Sequence, residues 1–249
     1  MRHRPAVLVI AGSDSSGGAG IVRDVRALDA LGATPLCAVT AVTAQTHGRL
    51  AAVHHIPPAV VRSQIETALV SGTVAAIKIG MLGTAETVRA VAASLPPAAA
   101  VPIVLDPVLL SSSGGVLLDE EGRAEMRARL FPRATLLTPN IPEAAALCAS
   151  PLARSREARL EQGGALLALG PHAVLLKGGH AEEGEAADLL LDAGGAHWLV
   201  APRVDAHLRG TGCALSSAIA AGLAAGATLE EACRRAKQYV LSLLSEASS

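Results

Sequence analysis

Aromatic side chains are nearly absent. Phe131, Trp198 and Tyr239 are the only three in 249 residues, so a single-stranded nucleic acid, which is held on stacked rings, has almost no platform here. Charge of one sign is also missing: the formal net charge of -1 offers neither a phosphate backbone nor an acidic membrane any general attraction. Cysteine is sparse. The four lie at 37, 148, 213 and 233, without the close pairs of a zinc site or a redox motif, and free thiols in a cytoplasmic protein are expected. No run reaches the roughly 18 to 20 apolar residues of a membrane helix, because Pro96, Pro97, Pro102 and Pro107 interrupt the most apolar region; a soluble chain is expected. The opening Met1 to Arg4, followed by Ala6 to Ala11, has the order of a secretory signal. Its apolar run is short and leads into a Gly/Ser loop, so a buried first strand is expected instead.

What is present is a core. Apolar residues make up 51% of the chain and charged residues 17%, which fits a compact protein with a large buried interior. Short β-branched runs alternate with helical patterns along the whole length, the mark of a mostly parallel sheet with helices on both faces. The strands predicted are Ala6 to Ala11, Leu36 to Ala41, Ala75 to Gly80, Pro102 to Asp106, Thr135 to Thr138 and Ala173 to Lys177. Ile21, Val22, Val25 and Leu28 recur at helical spacing, as do Val60, Val61, Ile65 and Leu69. Asp188 to Asp192 and His197 to Val204 flank Ala193-Gly194-Gly195-Ala196 and predict a hairpin at an antiparallel edge. Two helices, Gly212 to Ala225 and Leu229 to Leu244, follow. The class is α/β, a three-layer αβα arrangement, and no linker or repeat divides it, so residues 1–249 are expected to form one domain.

In open parallel sheets ligands bind beyond the carboxyl ends of the strands. The segments there are rich in Gly and polar residues: Gly12 to Gly20, Thr43 to Thr46, Met81 to Gly83, Asp106 to Val108, Pro139 to Glu143, and Gly178-Gly179-His180. The strongest is Arg209-Gly210-Thr211-Gly212-Cys213-Ala214, which opens a helix of small residues. Free amides at a helix start converge on one spot with partial positive charge, suited to a phosphoryl group in flight. The same field would lower the Cys213 thiol from about 8.5 toward 7, leaving about half of it as thiolate at neutral pH, able to take a proton from an alcohol. The same residues also suit a plain turn capped by Thr211, with Cys213 as filler. Asn140 and Glu143, three apart at a helix start, fit a capping box, and equally a pair holding the water shell of Mg²⁺ on ATP, with Asp106 as a second carboxylate. Lys177 closes a strand where an ammonium could meet nucleotide phosphates, or could merely snorkel. The Gly12 to Gly20 loop fits neither the P-loop nor the dinucleotide fingerprint, so a small substrate is its expected guest. Histidines 47, 54, 55, 172, 180, 197 and 207 show no metal-binding pair. Assistance of Cys213 by His180 or His207 in acyl transfer is conceivable, with nothing tying them into a triad.

Taken in order, Ala11 to Gly20, Gly80-Met-Leu82, Val104-Leu-Asp-Pro-Val108, Thr138-Pro-Asn-Ile-Pro-Glu143, Leu176-Lys-Gly-Gly-His180 and Gly210-Thr-Gly-Cys213 resemble the bacterial hydroxymethylpyrimidine/phosphomethylpyrimidine kinases of thiamine biosynthesis, members of the ribokinase-like superfamily. The resemblance implies ATP- and Mg²⁺-dependent phosphorylation of a hydroxymethylpyrimidine and of its monophosphate, in a ribokinase-like homodimer. It implies Cys213 as the base, with Gly210, Thr211 and Gly212 around the reacting centre. Lys177, Thr211, Asn140 and Glu143 would serve the nucleotide, and Asp106 with Glu143 the metal. Gly12, Asp24, Gln45, Met81 and Val108 would line the pyrimidine pocket. A pyridoxal kinase of the same fold is the nearest alternative, and a non-catalytic pyrimidine-binding regulator is the alternative of another class.

The chain departs from the family pattern at Val22-Arg23-Asp24-Val25-Arg26, where Gln-Ala-Asp-hydrophobic-Lys is usual, at Leu208-Arg209, where Thr-His is common, and at Ala214. Arg209, with Arg23, is expected to grip the phosphate of a monophosphorylated substrate and to favour the second phosphorylation.

Overall fold

The computed structural model describes residues 4–70, 72–111, 114–178, 185–206 and 208–248. Its centre is strand β1 (Ala6–Asp14), in which Val7, Leu8, Val9 and Ile10 are all fully buried. A strand apolar on both faces needs cover on both. Leu8 and Ile10 join one apolar layer with Ile77, Ile79, Leu105 and Leu137; Val7, Val9 and Ala11 join the other with Val104, Leu136, Leu175 and Ile219. Truncating Leu8 or Ile10 to Ala is expected to cost about 2–5 kcal/mol.

From β1 the chain runs through helix α1 (Gly20–Ala30) into β2 (Thr34–Gln45), parallel to β1, and then β3 (Leu50–His55), antiparallel at the sheet's edge. Helix α2 (Pro58–Val70) returns the chain across the sheet to β4 (Val74–Ile79), parallel to β1 on its other side. The sheet then grows one way only. After α3 (Ala85–Ser94) comes β5 (Ile103–Leu105); after α4 (Glu120–Arg129), β6 (Leu136–Leu137); after α5 (Ile141–Cys148) and α6 (Arg156–Leu167), β7 (Ala173–Leu176). The hairpin β8 (Glu185–Asp192) and β9 (Gly195–Pro202) completes the sheet order β3-β2-β1-β4-β5-β6-β7-β8-β9. Helices α7 (Thr211–Ala224) and α8 (Leu229–Ala247) pack with α1 on one face, α2 to α6 on the other. The connection reverses direction at β1, which opens a crevice beyond the ends of β1 and β4.

All six predicted parallel strands and the edge hairpin are present, the hairpin spanning a wider stretch than expected because its turn is only Ala193-Gly194. Strand β3 was not expected. Its sequence, LAAVHH, has little β-branched character and owes its pairing to β2, which runs on to Gln45.

Candidate active site

The two ends of the chain build the reacting centre together. Gly210 caps α7 with φ of +75°, and a Cβ there would fall 2.3 Å from the carbonyl oxygen of Gly18. Gly20 has φ of +58°, and its Cβ would fall 2.3 Å from the carbonyl oxygen of Gly12. Only glycine allows either approach, and together they seat the Gly12 to Gly20 loop against the start of α7. Cys213 lies in the first turn of that helix, and the Gly20 amide hydrogen-bonds its sulfur. The position is as predicted; the acidity is not. Burial pushes the thiol up to about 11, Asp24 and Asp106 adding to the rise, against the lowering influence of Lys78 and the Gly20 amide. The predicted fall toward 7 is thus corrected: loss of solvation outweighs the helix-end field.

Beside Cys213, neighbouring serines of α7 reach two carboxylates, each paired with a lysine. Ser217 donates to Asp24 Oδ1 at 2.8 Å, and Lys78 Nζ lies 2.9 Å from both Asp24 oxygens. Both partners of that pair are wholly excluded from solvent, with side-chain exposures of 0%. Burial alone would lower the Lys78 ammonium, but Asp24, together with Cys213 and Asp106, more than offsets it and holds it above the ordinary lysine value. Asp24 therefore has no oxygen to spare, and its expected role as an acceptor for the substrate edge is corrected to a sealed ion pair on α1. Lys78 was missed by sequence reasoning; its signal is a lone lysine within the apolar run of β4.

The second set is Ser216, Asp106 and Lys177. Ser216 donates to Asp106 Oδ2 at 3.3 Å, Thr138 to Oδ1 at 3.2 Å, and Lys177 Nζ lies 2.8 Å from Oδ1. Burial would raise the Asp106 carboxyl, but Lys177 and Lys78 hold it below the ordinary carboxylate value. Lys177 also lies 3.9 Å from Glu143 Oε2 and close over Gly212, where a Cβ would fall 3.2 Å from its Nζ. Thr211, the first residue of α7, is next along the chain. Thus Lys177, Asp106, Glu143, Gly210, Thr211, Gly212 and Cys213 share one rim.

Asn140 and Glu143 form the complete capping box of α5: Glu143 N–H donates to Asn140 Oδ1 at 2.7 Å and Asn140 N–H to Glu143 Oε2 at 2.8 Å. Capping leaves Glu143 Oε1 uncommitted. Burial raises the Glu143 carboxyl to about 7, with Asp106 adding to the rise and Lys177 opposing it. A largely buried carboxylate with one oxygen uncommitted among the described residues is a fit place for a cation. Among the described residues no group of three or more His, Cys, Asp or Glu gathers to hold one alone. The donor set therefore suits Mg²⁺, which keeps most of its waters and shares them with phosphates, rather than an ion caged by protein.

The opposite wall belongs to the substrate candidates. Met81 packs on Gly12, where a Cβ would fall 2.8 Å from its sulfur, and Met81 forms a small apolar cluster with Ala41 and Leu117, against which Val108 packs. Gln45 ends β2 beside this cluster. Arg209 does not stand open to a phosphate, as expected from the sequence, because its guanidinium is already held by Asp14, Ser16, Gln45 and Thr46. Gly179, His180 and His207 lie outside the described residues. An open concavity of about 590 Å³ lies between β2 and α2, lined by Leu36, Cys37 and Gln64 among others, away from this rim.

A mixed sheet whose loops bring a helix-start thiol, paired lysines and a cation-ready carboxylate to one edge defines a small-molecule kinase of the ribokinase-like class. A protein-family description, phosphomethylpyrimidine kinase, matches residues 14–249. The chain belongs to that family, and it is a phosphotransferase. It is 44% identical over 237 residues to the hydroxymethylpyrimidine/phosphomethylpyrimidine kinase of Streptomyces coelicolor, covering 95% of this chain and 87% of that one. It is 41% identical over 238 residues, 95% of its length, to the thiamine biosynthesis bifunctional protein ThiED of Geobacter sulfurreducens, and spans about half (48%) of that longer protein. Among solved structures, pyridoxal kinase from Staphylococcus aureus in complex with AMP-PCP and pyridoxal superposes with a TM-score of 0.88 at 30% identity, covering 97% of this chain and 88% of that one.

Proposed function

We propose that this chain, as one kinase domain over residues 1–249, transfers the terminal phosphoryl group of ATP to the hydroxymethyl oxygen of 4-amino-5-hydroxymethyl-2-methylpyrimidine and to the phosphate of its monophosphate, serving thiamine biosynthesis. The observation that carries this reading is the meeting of Cys213 and Lys177 at the start of α7, across the rim from Gln45 and Met81. In this reading Cys213 takes the hydroxyl proton as its thiolate, which requires bound ligands to bring the thiol down from its raised value of about 11. The amides of Gly210 to Gly212 and the Lys177 ammonium face the place where phosphoryl charge develops, and Thr211 stands beside it. Asn140, Glu143 and Asp106 would hold Mg²⁺ through its waters. The ion, when bound, screens phosphate charge from the attacking oxygen. Gly12, Met81 and Val108 support a flat apolar wall for the ring, and Gln45 a polar contact at its edge. Asp24, in this reading, shapes the site from beneath.

Preference for the monophosphate would require Arg209 to leave Asp14, so the two phosphorylations are expected to proceed with k_cat/K_M values of the same order. A homodimer and a cytoplasmic setting complete the proposal. Free cysteines at 37, 148, 213 and 233 support a reducing compartment, and among the described residues no helix is long and apolar enough to cross a membrane.

The test is Mg²⁺-dependent ADP release with the hydroxymethylpyrimidine, its phosphate and pyridoxal in turn. Turnover of the first two, falling about 10²- to 10⁴-fold in Cys213→Ala, is the expected result. Turnover of pyridoxal alone would move the activity to the related kinase, unimpaired Cys213→Ala would remove the thiol from the chemistry, and binding without turnover would leave a regulator.

A further inference from the structure

Arg209 is the most heavily engaged side chain on the substrate wall, although only 9% of it is exposed. One guanidinium nitrogen donates to Ser16 Oγ and to the Thr46 carbonyl, both at 3.0 Å. The other lies 3.4 Å from Gln45 Oε1 and 3.4 Å from Asp14 Oδ2. Ser15 binds the same strand end through its hydroxyl, donating to the Gln45 carbonyl at 3.0 Å and accepting from the Gln45 amide at 2.9 Å. The backbone of Gln45 is therefore tied to the Gly-rich loop and its side chain to Arg209. A carboxamide can be turned either way, but a guanidinium offers donors alone, so the oxygen must face Arg209. Among the described residues nothing takes the Gln45 NH₂ group, which is left as the end to meet a ligand.

We propose that Arg209 is a positioning residue for specificity: it fixes the Gln45 carboxamide so that the site presents a hydrogen-bond donor and selects a heteroaromatic ring bearing an acceptor nitrogen. The inference rests on the reading of Gln45 as a substrate contact. It replaces a grip on phosphate with an orientation effect. Asp14 balances the charge of Arg209, and Asp14 itself is fixed by the amide and hydroxyl of Ser16, both 2.8 Å from its Oδ1.

The experiment uses the full chain and two probes, 4-amino-5-hydroxymethyl-2-methylpyrimidine and its benzene analogue with C–H at both ring-nitrogen positions. Calorimetric binding and steady-state kinetics are measured for wild type, Arg209→Met, Arg209→Lys, Gln45→Ala and the double variant Arg209→Met/Gln45→Ala. Arg209→Met/Asp14→Asn is made beside them, so that an unpaired Asp14 does not confuse orientation with folding. Wild type is expected to prefer the pyrimidine by about tenfold or more, the worth of one well-made hydrogen bond to a ring nitrogen. Arg209→Met should raise K_M for the pyrimidine and collapse that ratio, Arg209→Lys should recover part of it, and the double variant should lose no more than either single. Additive losses would overturn the proposal. An unchanged ratio in Gln45→Ala would overturn the contact on which it rests. Wild type that binds both probes as described but releases no ADP would sink phosphoryl transfer and leave the orientation effect standing.

Discussion

Two Lys–Asp–Ser sets hang from consecutive serines of α7, and they differ in one respect. Lys78–Asp24–Ser217 is sealed, with no solvent at either charge, whereas in Lys177–Asp106–Ser216 the lysine keeps 15% exposure and lies near a further carboxylate, Glu143. The groups are the same; the access is not. A charge pair shut away from water is held by its partner alone, while one at the rim can exchange that partner for a ligand's phosphate. Chemical type thus says little about the role of a buried lysine here, and depth says most.

The comparison is broken most directly by removing each lysine. Lys78→Met leaves the buried Asp24 without a counter-charge and with only Ser217 to serve it among the described residues, and is expected to cost about 3–5 kcal/mol of stability in urea unfolding. The paired replacement Lys78→Met/Asp24→Leu should recover most of that cost, as removing both buried charges together usually does. Lys177→Met is expected to change stability by no more than about 1 kcal/mol, since Thr138 and Ser216 still serve Asp106, but to lower k_cat/K_M about 10²- to 10³-fold. If Lys177→Met proves as unstable as Lys78→Met, the distinction between sealed and open sets fails.

The smallest effect sharpens the open set. Glu143 is raised from 4.5 to about 7 in the folded protein. Between those values the folded state binds more protons than the unfolded one, so stability falls as pH rises from about 4.5 to 7. Glu143→Gln, which retains an oxygen for the Asn140 amide, should abolish that decline and unfold later than wild type at pH 8, by about 1–3 kcal/mol. The same variant should bind Mg²⁺-nucleotide more weakly, a gain in stability at the expense of function. A denaturation series across pH, with and without Mg²⁺-nucleotide, checks both.

Much of this was legible in the residues. The strand centres declare themselves because both faces are apolar, and the rim follows from what succeeds each strand. Asn140 and Glu143 read as a cap or as a cation pair, and the cap is formed with one Glu143 oxygen still uncommitted. Other features depend on depth or on distant partners. The helix-start field at Cys213 is visible in Gly210-Thr211-Gly212, but the burial that reverses its effect on the thiol is not. Asp24 stands among the pocket residues by resemblance until Lys78, 54 residues away, claims it. Arg209 reads as a free cation until Asp14, 195 positions earlier, claims it. Strand β3 carries too weak a pattern to be seen without its neighbour.

The bond from Ser217 to Asp24 spans 193 residues, and the Gly20 amide meets a sulfur equally distant along the chain. A chain growing from its N-terminus can lay down β1, β4 and their loops early, but the thiol and the start of α7 follow only after strands β1 to β9. On the ribosome, a chain that has not yet reached α7 therefore has its rim loops without the Cys213 thiol.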